Sequence, residues 1–202
     1  MPLPPEPVEE IEAIVSAVQD ELERGAALPR SEVRWVRLEG LHLTLRFLGA
    51  IDPERVADIG EAVARAATRH DPFEAVISGA GAFPDRARPR TLWLGVEVGQ
   101  DELRGLARSL DEELDGLGWR IEDRPFRPHL TLARADGRRE GPRAARLLVE
   151  QARPLELRFV VDRVVLFESV TGGGPARYLP LREARLGHVE GASRLGGNEA
   201  TR

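Results

Sequence analysis

The chain contains neither cysteine nor lysine. The first absence excludes disulfides, thiolate nucleophiles and thiolate metal sites. The second excludes Schiff-base chemistry on lysine and a phosphate-loop lysine. All 29 basic residues are therefore arginine, against 34 carboxylates, for a formal charge of −5 over 202 residues. That balance argues against nonspecific wrapping of long nucleic acid, but not against a local arginine patch gripping one phosphate. Aromatic residues are few, at 5 %. No apolar run reaches the length of a membrane-spanning helix, so no membrane association is expected. The opening Met1-Pro2-Leu3-Pro4-Pro5 lacks the basic and apolar regions of a secretion signal. The expected location is cytoplasmic.

Apolar spacing predicts helices over 7–24, 53–69, 103–117 and 144–153. Asp101 is a candidate cap for the third. Alternation predicts strands at 33–38, 42–48, 73–83, 91–98, 129–134 and 178–181, with one or two more within 155–167. Strand pairs separated by single helices point to an α+β fold with antiparallel sheets, covered by helices on one face. Residues 1–185 are expected to form a single unit, and the small, polar residues 186–202 a flexible tail. His70, in a helix-ending turn, reads as solvated, and His188 as an idle tail residue.

One pattern stands above the rest. His42-Leu43-Thr44-Leu45 recurs identically as His129-Leu130-Thr131-Leu132. With six threonines in the chain, a given histidine meets threonine two positions later roughly 3 % of the time by chance. Two of four histidines doing so is about a half-percent event before the leucines are counted. Two equivalent strands suggest a pseudo-two-fold arrangement with the histidines facing each other.

On a strand, positions i and i+2 share a face, so His42 lies beside Thr44 and His129 beside Thr131. Imidazole moves protons near neutral pH, and a threonine hydroxyl donates to a phosphoryl oxygen. Two such pairs supply an acid, a base and two neutral donors. That set suits in-line displacement at phosphorus without a metal or other cofactor. Arginine adds charge against the nonbridging oxygens. Candidates are Arg46, which shares the face of His42, and Arg127, which flanks His129. Phe47 is a candidate for stacking on a base. Neither motif has a third ligand at metal-site spacing. Trp35 and Trp93 read as core or edge packing.

These residues also resemble a known family, the 2H phosphoesterases, and within it the RNA 2′,3′-cyclic phosphodiesterases once called 2′-5′ RNA ligases. The matching stretches are 41–49, Gly81-Ala82-Phe83-Pro84, Leu92-Trp93-Leu94-Gly95, 124–134, and 162–169 with Tyr178. The resemblance implies a bilobal fold, helices on the outer faces of two sheets, and a central cleft between the motifs. It implies His42 as proton donor to the departing 3′ oxygen and His129 as the acceptor that activates water. Thr44, Thr131 and Arg134 would hold the phosphate of an RNA 2′,3′-cyclic end. The product would be a 2′-phosphomonoester, and the reverse reaction a weak 2′-5′ joining. The protein is expected to act as a monomer.

Two features depart from the family pattern. Relatives begin with a short apolar strand, whereas this chain opens on a proline-rich segment, so the first sheet is expected to lack a strand or to pair it poorly. Strict alternation also puts Arg134 on the face opposite His129, unless the strand bulges near Ala133. Two other readings stay open. The same chemistry could act on a cyclic nucleotide or a 2′-5′ linked oligonucleotide. A noncatalytic RNA-end binding protein would keep the arginines but need not keep both histidines.

Overall fold

The computed structural model describes residues 1–24, 32–135, 139–172 and 174–187. In chain order its elements are α1 (Pro5–Arg24), β1 (Val33–Trp35), α2 (Val56–Ala67), β2 (Phe73–Phe83), β3 (Thr91–Val98), α3 (Gln100–Asp115), β4 (His129–Ala135), α4 (Glu140–Gln151), β5 (Glu156–Val161), β6 (Arg163–Val170) and β7 (Arg177–Arg185). The fold is α+β with two antiparallel sheets. One has five strands in the order β1-β4-β3-β2-β5, and the other is the hairpin-like pair β6-β7.

Helix α1 turns Ile11, Val15, Val18 and Leu22 inward, the stripe its spacing predicts. It starts at Pro5 rather than Pro7, because first-turn amides have no intrahelical partner and proline costs nothing there. Helices α1 and α4 pack together against the larger sheet, while α2 packs on α3 and on the β6-β7 pair. Among the described residues no helix is long and apolar enough to cross a membrane.

Four expectations change. Asp101 does not cap α3, and instead pairs with Arg104 at 2.7 Å. The cap is Gly99, at φ +84°, where a Cβ would also lie 2.8 Å from the Glu74 carbonyl oxygen. Both constraints select glycine. His70 is not simply solvated. Its Nε2 lies 2.9 Å from Ser109 Oγ, tying the end of α2 to α3. The chain also packs two residues past 185. Leu186 is buried, and its amide donates to the Asp162 carbonyl at 2.8 Å. His188 and the rest of the expected tail lie outside the described residues.

The fourth change concerns the sheet edge expected to lack a strand. Leu3 donates to the Leu41 carbonyl at 3.1 Å, Leu43 donates to the Met1 carbonyl at 2.9 Å, and Pro2 sits opposite His42. Residues 1–3 therefore pair with the first motif. A proline is acceptable at that edge because its missing N–H faces no ladder partner.

The central layer holds fully buried leucines, including Leu43, Leu92, Leu94, Leu130 and Leu132. Leu130→Ala is expected to cost about 2–5 kcal/mol, since a cavity is left in a packed interior. Leu179→Ala, at a residue 48 % exposed, is expected to stay within about 0.5 kcal/mol. Urea unfolding of the two variants checks this, and equal midpoints would contradict the burial pattern.

Candidate active site

The two motifs meet in the backbone. Leu43 and Leu130 form an antiparallel bridge. Carried one residue each way, that register sets His42 opposite Thr131 and Thr44 opposite His129. Both leucines are fully buried, so all four polar side chains fall on the other face, where each is half-buried. The histidines occupy one diagonal of the rectangle and the threonines the other. Diagonal neighbours across an antiparallel pair lie roughly 7–8 Å apart, room for one phosphate between two side chains.

The run expected as a strand over 42–48 is bridged only at His42 and Leu43. Past Thr44 the chain turns toward α3 and the segment after it. Arg46 meets Asp111 at 3.2 Å and Glu122 at 3.0 Å and donates to the Arg120 carbonyl, and the Leu48 carbonyl accepts from Trp119 Nε1 at 3.2 Å. The Arg46 side chain is only 11 % exposed. With two carboxylates and the Arg120 carbonyl around it, this guanidinium is engaged in anchoring the segment after the first motif.

Arg134 follows the opposite course. Along β4, Leu92 faces Ala133 but Trp93 faces Thr131, which leaves Leu132 as an extra residue. The bulge shifts the alternation by one. Leu130 and Leu132 are buried before it, Ala133 and Ala135 after it, and Arg134 emerges on the face of His129 and Thr131. Its Nη1 donates to Thr91 Oγ1 at 2.6 Å. Arg127 contributes through its backbone carbonyl, while its side chain is exposed.

Both imidazoles are held alike. His42 Nδ1 lies 2.7 Å from the Gly40 carbonyl oxygen, and His129 Nδ1 lies 2.7 Å from that of Arg127. A carbonyl can only accept, so each Nδ1 carries the proton and each Nε2 is left as the nitrogen that titrates. Burial holds both histidines below their ordinary pKa, with the carbonyl bonds pulling partly back. The charge of Arg134 lowers His129 further, and that of the Met1 N-terminus lowers His42. Both rings therefore favour the neutral form near pH 7.

An aromatic pair backs each ring. His42 meets Tyr178 edge-on at 4.3 Å between centroids, with Phe167 at 5.6 Å. His129 meets Phe83 edge-on at 5.0 Å, with Trp93 at 6.5 Å. Phe83 is on β2, two strands from β4. Flat neighbouring strands at about 4.8 Å spacing would hold these rings farther apart, so the sheet curls around the site. The curl needs Gly81, where a Cβ would lie 2.4 Å from the Trp93 ring. Trp93 thus lines the His129 site rather than serving as edge packing alone. Phe47, the stacking candidate, is 68 % exposed. Phe83, Phe167 and Tyr178 join the site through contacts distant in sequence, while alternation along β3 puts Trp93 on the face of Thr91 and Gly95.

Among the described residues, no group of three or more histidine, aspartate or glutamate side chains is placed to hold a metal ion. The chemistry available is one protonatable nitrogen on each side of a small polar cradle, with Thr44, Thr131 and Arg134 as donors.

A family model described as the 2′-5′ RNA ligase superfamily matches residues 3–173. The chain belongs to that superfamily. Relatives named RNA 2′,3′-cyclic phosphodiesterase include one from Aeropyrum pernix, 39 % identical over 58 % of this chain and 66 % of its own length. Another, from Methanothermobacter thermautotrophicus, is 38 % identical over 67 % of this chain and 71 % of its own. The match to the Aeropyrum protein thus spans just under two thirds of that relative. Among solved structures, Escherichia coli LigT in apo form superposes with a TM-score of 0.63 at 26 % identity, covering 92 % of this chain and 94 % of LigT. LigT has also been solved with 3′-AMP, with a TM-score of 0.62, 26 % identity and coverage of 86 % and 91 %. Superfamily membership agrees with the α+β fold and its two sheets.

The carbonyl contacts set a spectroscopic expectation. At pH 8, ¹⁵N–¹H correlation spectra should show His42 and His129 both as neutral Nδ1–H tautomers. A dominant Nε2–H form for either would contradict the Nδ1–H donation to the Gly40 or Arg127 carbonyl.

Proposed function

We propose that the protein hydrolyses RNA 2′,3′-cyclic phosphate ends to 2′-phosphomonoesters by two-histidine acid–base catalysis. The observation that carries this reading is the Leu43–Leu130 bridge. It puts two imidazoles with oriented Nε2 atoms on one diagonal and two hydroxyls on the other. His129, kept neutral by burial and by Arg134, takes a proton from water. The water oxygen bonds to phosphorus as the bond to the 3′ oxygen breaks. His42, protonated, delivers its proton to that oxygen. Thr44, Thr131 and Arg134 donate to the nonbridging oxygens, where charge accumulates. A 5′-hydroxyl in place of water, through the same two proton transfers, would give a 2′-5′ linkage. The names of the relatives favour an RNA end over a free cyclic nucleotide.

The primary test is turnover of an RNA oligonucleotide carrying a 2′,3′-cyclic phosphate in the presence of EDTA. Undiminished hydrolysis is expected. Loss on chelation, restored by zinc or magnesium, would overturn a metal-independent mechanism.

The pH profile follows from the depressed pKa values. kcat/KM needs one free-enzyme imidazole neutral and the other protonated. With both lowered, the bell should peak on the acid side of about pH 6.5. A maximum above about pH 7.5 would contradict the assigned environments.

The proton roles are separable. His42→Ala should lose roughly 10²- to 10⁴-fold on a substrate with an alkoxide leaving group, and less on a nitrophenolate ester that departs unprotonated. His129→Ala should stay impaired on both. If the nitrophenolate rescues His129→Ala instead, the roles are exchanged.

A further inference from the structure

Several arginines of this chain are neutralised in place. Arg65 and Arg69 meet Glu113, Arg46 meets Asp111 and Glu122, and Arg104 meets Asp101. Among the described residues, Arg86, Arg88 and Arg90 have no carboxylate partner, and all three are exposed. They lie on the loop joining β2 to β3, which leaves from Phe83, against the His129 ring, and returns at Thr91, which holds Arg134. A cationic surface in an acidic protein thus springs from the rim of the candidate site.

The loop is also held in shape. Asp85 Oδ1 accepts from the amides of Ala87 at 2.8 Å and Arg88 at 2.9 Å, which closes a turn. The Arg90 amide donates to the Phe83 carbonyl at 2.7 Å, and its own carbonyl accepts from Ala135 at 3.1 Å. Pro89 is buried against Gly141, where a Cβ would come within 3.0 Å of its ring. A loop fixed before binding loses little entropy when it takes a ligand. Three unpaired guanidiniums on such a loop suit a chain of phosphates better than a single one.

We propose that the 84–90 loop is a second anion subsite. It takes the internucleotide phosphates of single-stranded RNA leading up to the cyclic end, so that the enzyme selects an oligonucleotide over a mononucleotide. The inference rests on the reaction proposed above. It divides recognition in two: the cradle holds the reacting phosphate, and the loop holds the strand.

The experiment compares kcat/KM on 2′,3′-cyclic CMP with that on a ten-nucleotide RNA ending in a 2′,3′-cyclic phosphate, across a salt series. In the wild type the oligonucleotide should be preferred, and the preference should fall with salt. Single-strand contacts contribute about −0.7 each to the log–log slope, so three give about −2. In Arg86→Gln/Arg88→Gln/Arg90→Gln the oligonucleotide-to-mononucleotide ratio should fall at least about tenfold, and the slope should lose about 2. Should the triple variant melt below the wild type, Arg88→Glu alone is read the same way. An unchanged ratio, or equal salt slopes for the two wild-type substrates, overturns the subsite while leaving the reaction intact. A wild type that turns over neither substrate overturns the reaction, and the subsite with it.

Discussion

Leu43 and Leu130 lie side by side as antiparallel partners, both fully buried. Most of the candidate site depends on that contact. Burying two leucines on one face contributes on the order of 3–6 kcal/mol, and the same pleat obliges their neighbours to face the other way. A one-residue slip in either strand would put the leucines in solvent and the histidines in the core. The register that stabilises the interior is therefore the register that assembles the cradle. Residues 1–3 flank the first motif on its other side, so the short segment carrying His42 is paired along both edges.

The two halves repeat more than a sequence motif. Each imidazole is oriented by a carbonyl two residues before it, and each has an aromatic pair behind it. The rings are thereby half-dried as well as fixed, which keeps them neutral and strengthens any hydrogen bond they make to phosphate. Arg134 breaks the symmetry. It stands by His129 and adds positive charge there, whereas its motif-one counterpart, Arg46, is held by Asp111 and Glu122. The charge beside His42 comes instead from the Met1 N-terminus, so the two imidazoles meet different cationic neighbours.

Much of this was legible from the chain. Alternation in 73–83, 91–98 and 129–134 located the central strands, because one face of each is buried. The repeated His-x-Thr pattern located the cradle, because the two-residue period of a strand fixes which side chains share a face. What was hidden depends on partners distant in sequence. The bulge at Leu132 exists only relative to β3, so the face of Arg134 could be posed as a condition but not resolved. The fate of Arg46 depends on Asp111 and Glu122, more than 60 residues away. Gly99 displaced Asp101 as the α3 cap because the Glu74 backbone passes too close for a side chain. The pairing of residues 1–3 was missed because a proline-rich segment resembles a turn, although an edge strand needs only alternate amides.

The proposed reaction requires the two Nε2 atoms to flank one phosphorus from opposite sides. A crystal structure of the protein with a pentavalent vanadate ester of a nucleoside 2′,3′-diol tests it most directly. His42 Nε2 is expected within hydrogen-bond distance of the apical 3′ oxygen and His129 Nε2 within the same distance of the opposite apical oxygen. Thr44, Thr131 and Arg134 should reach the equatorial oxygens. Both imidazoles on one side of the vanadium, or either turned away from an apical oxygen, would contradict the account.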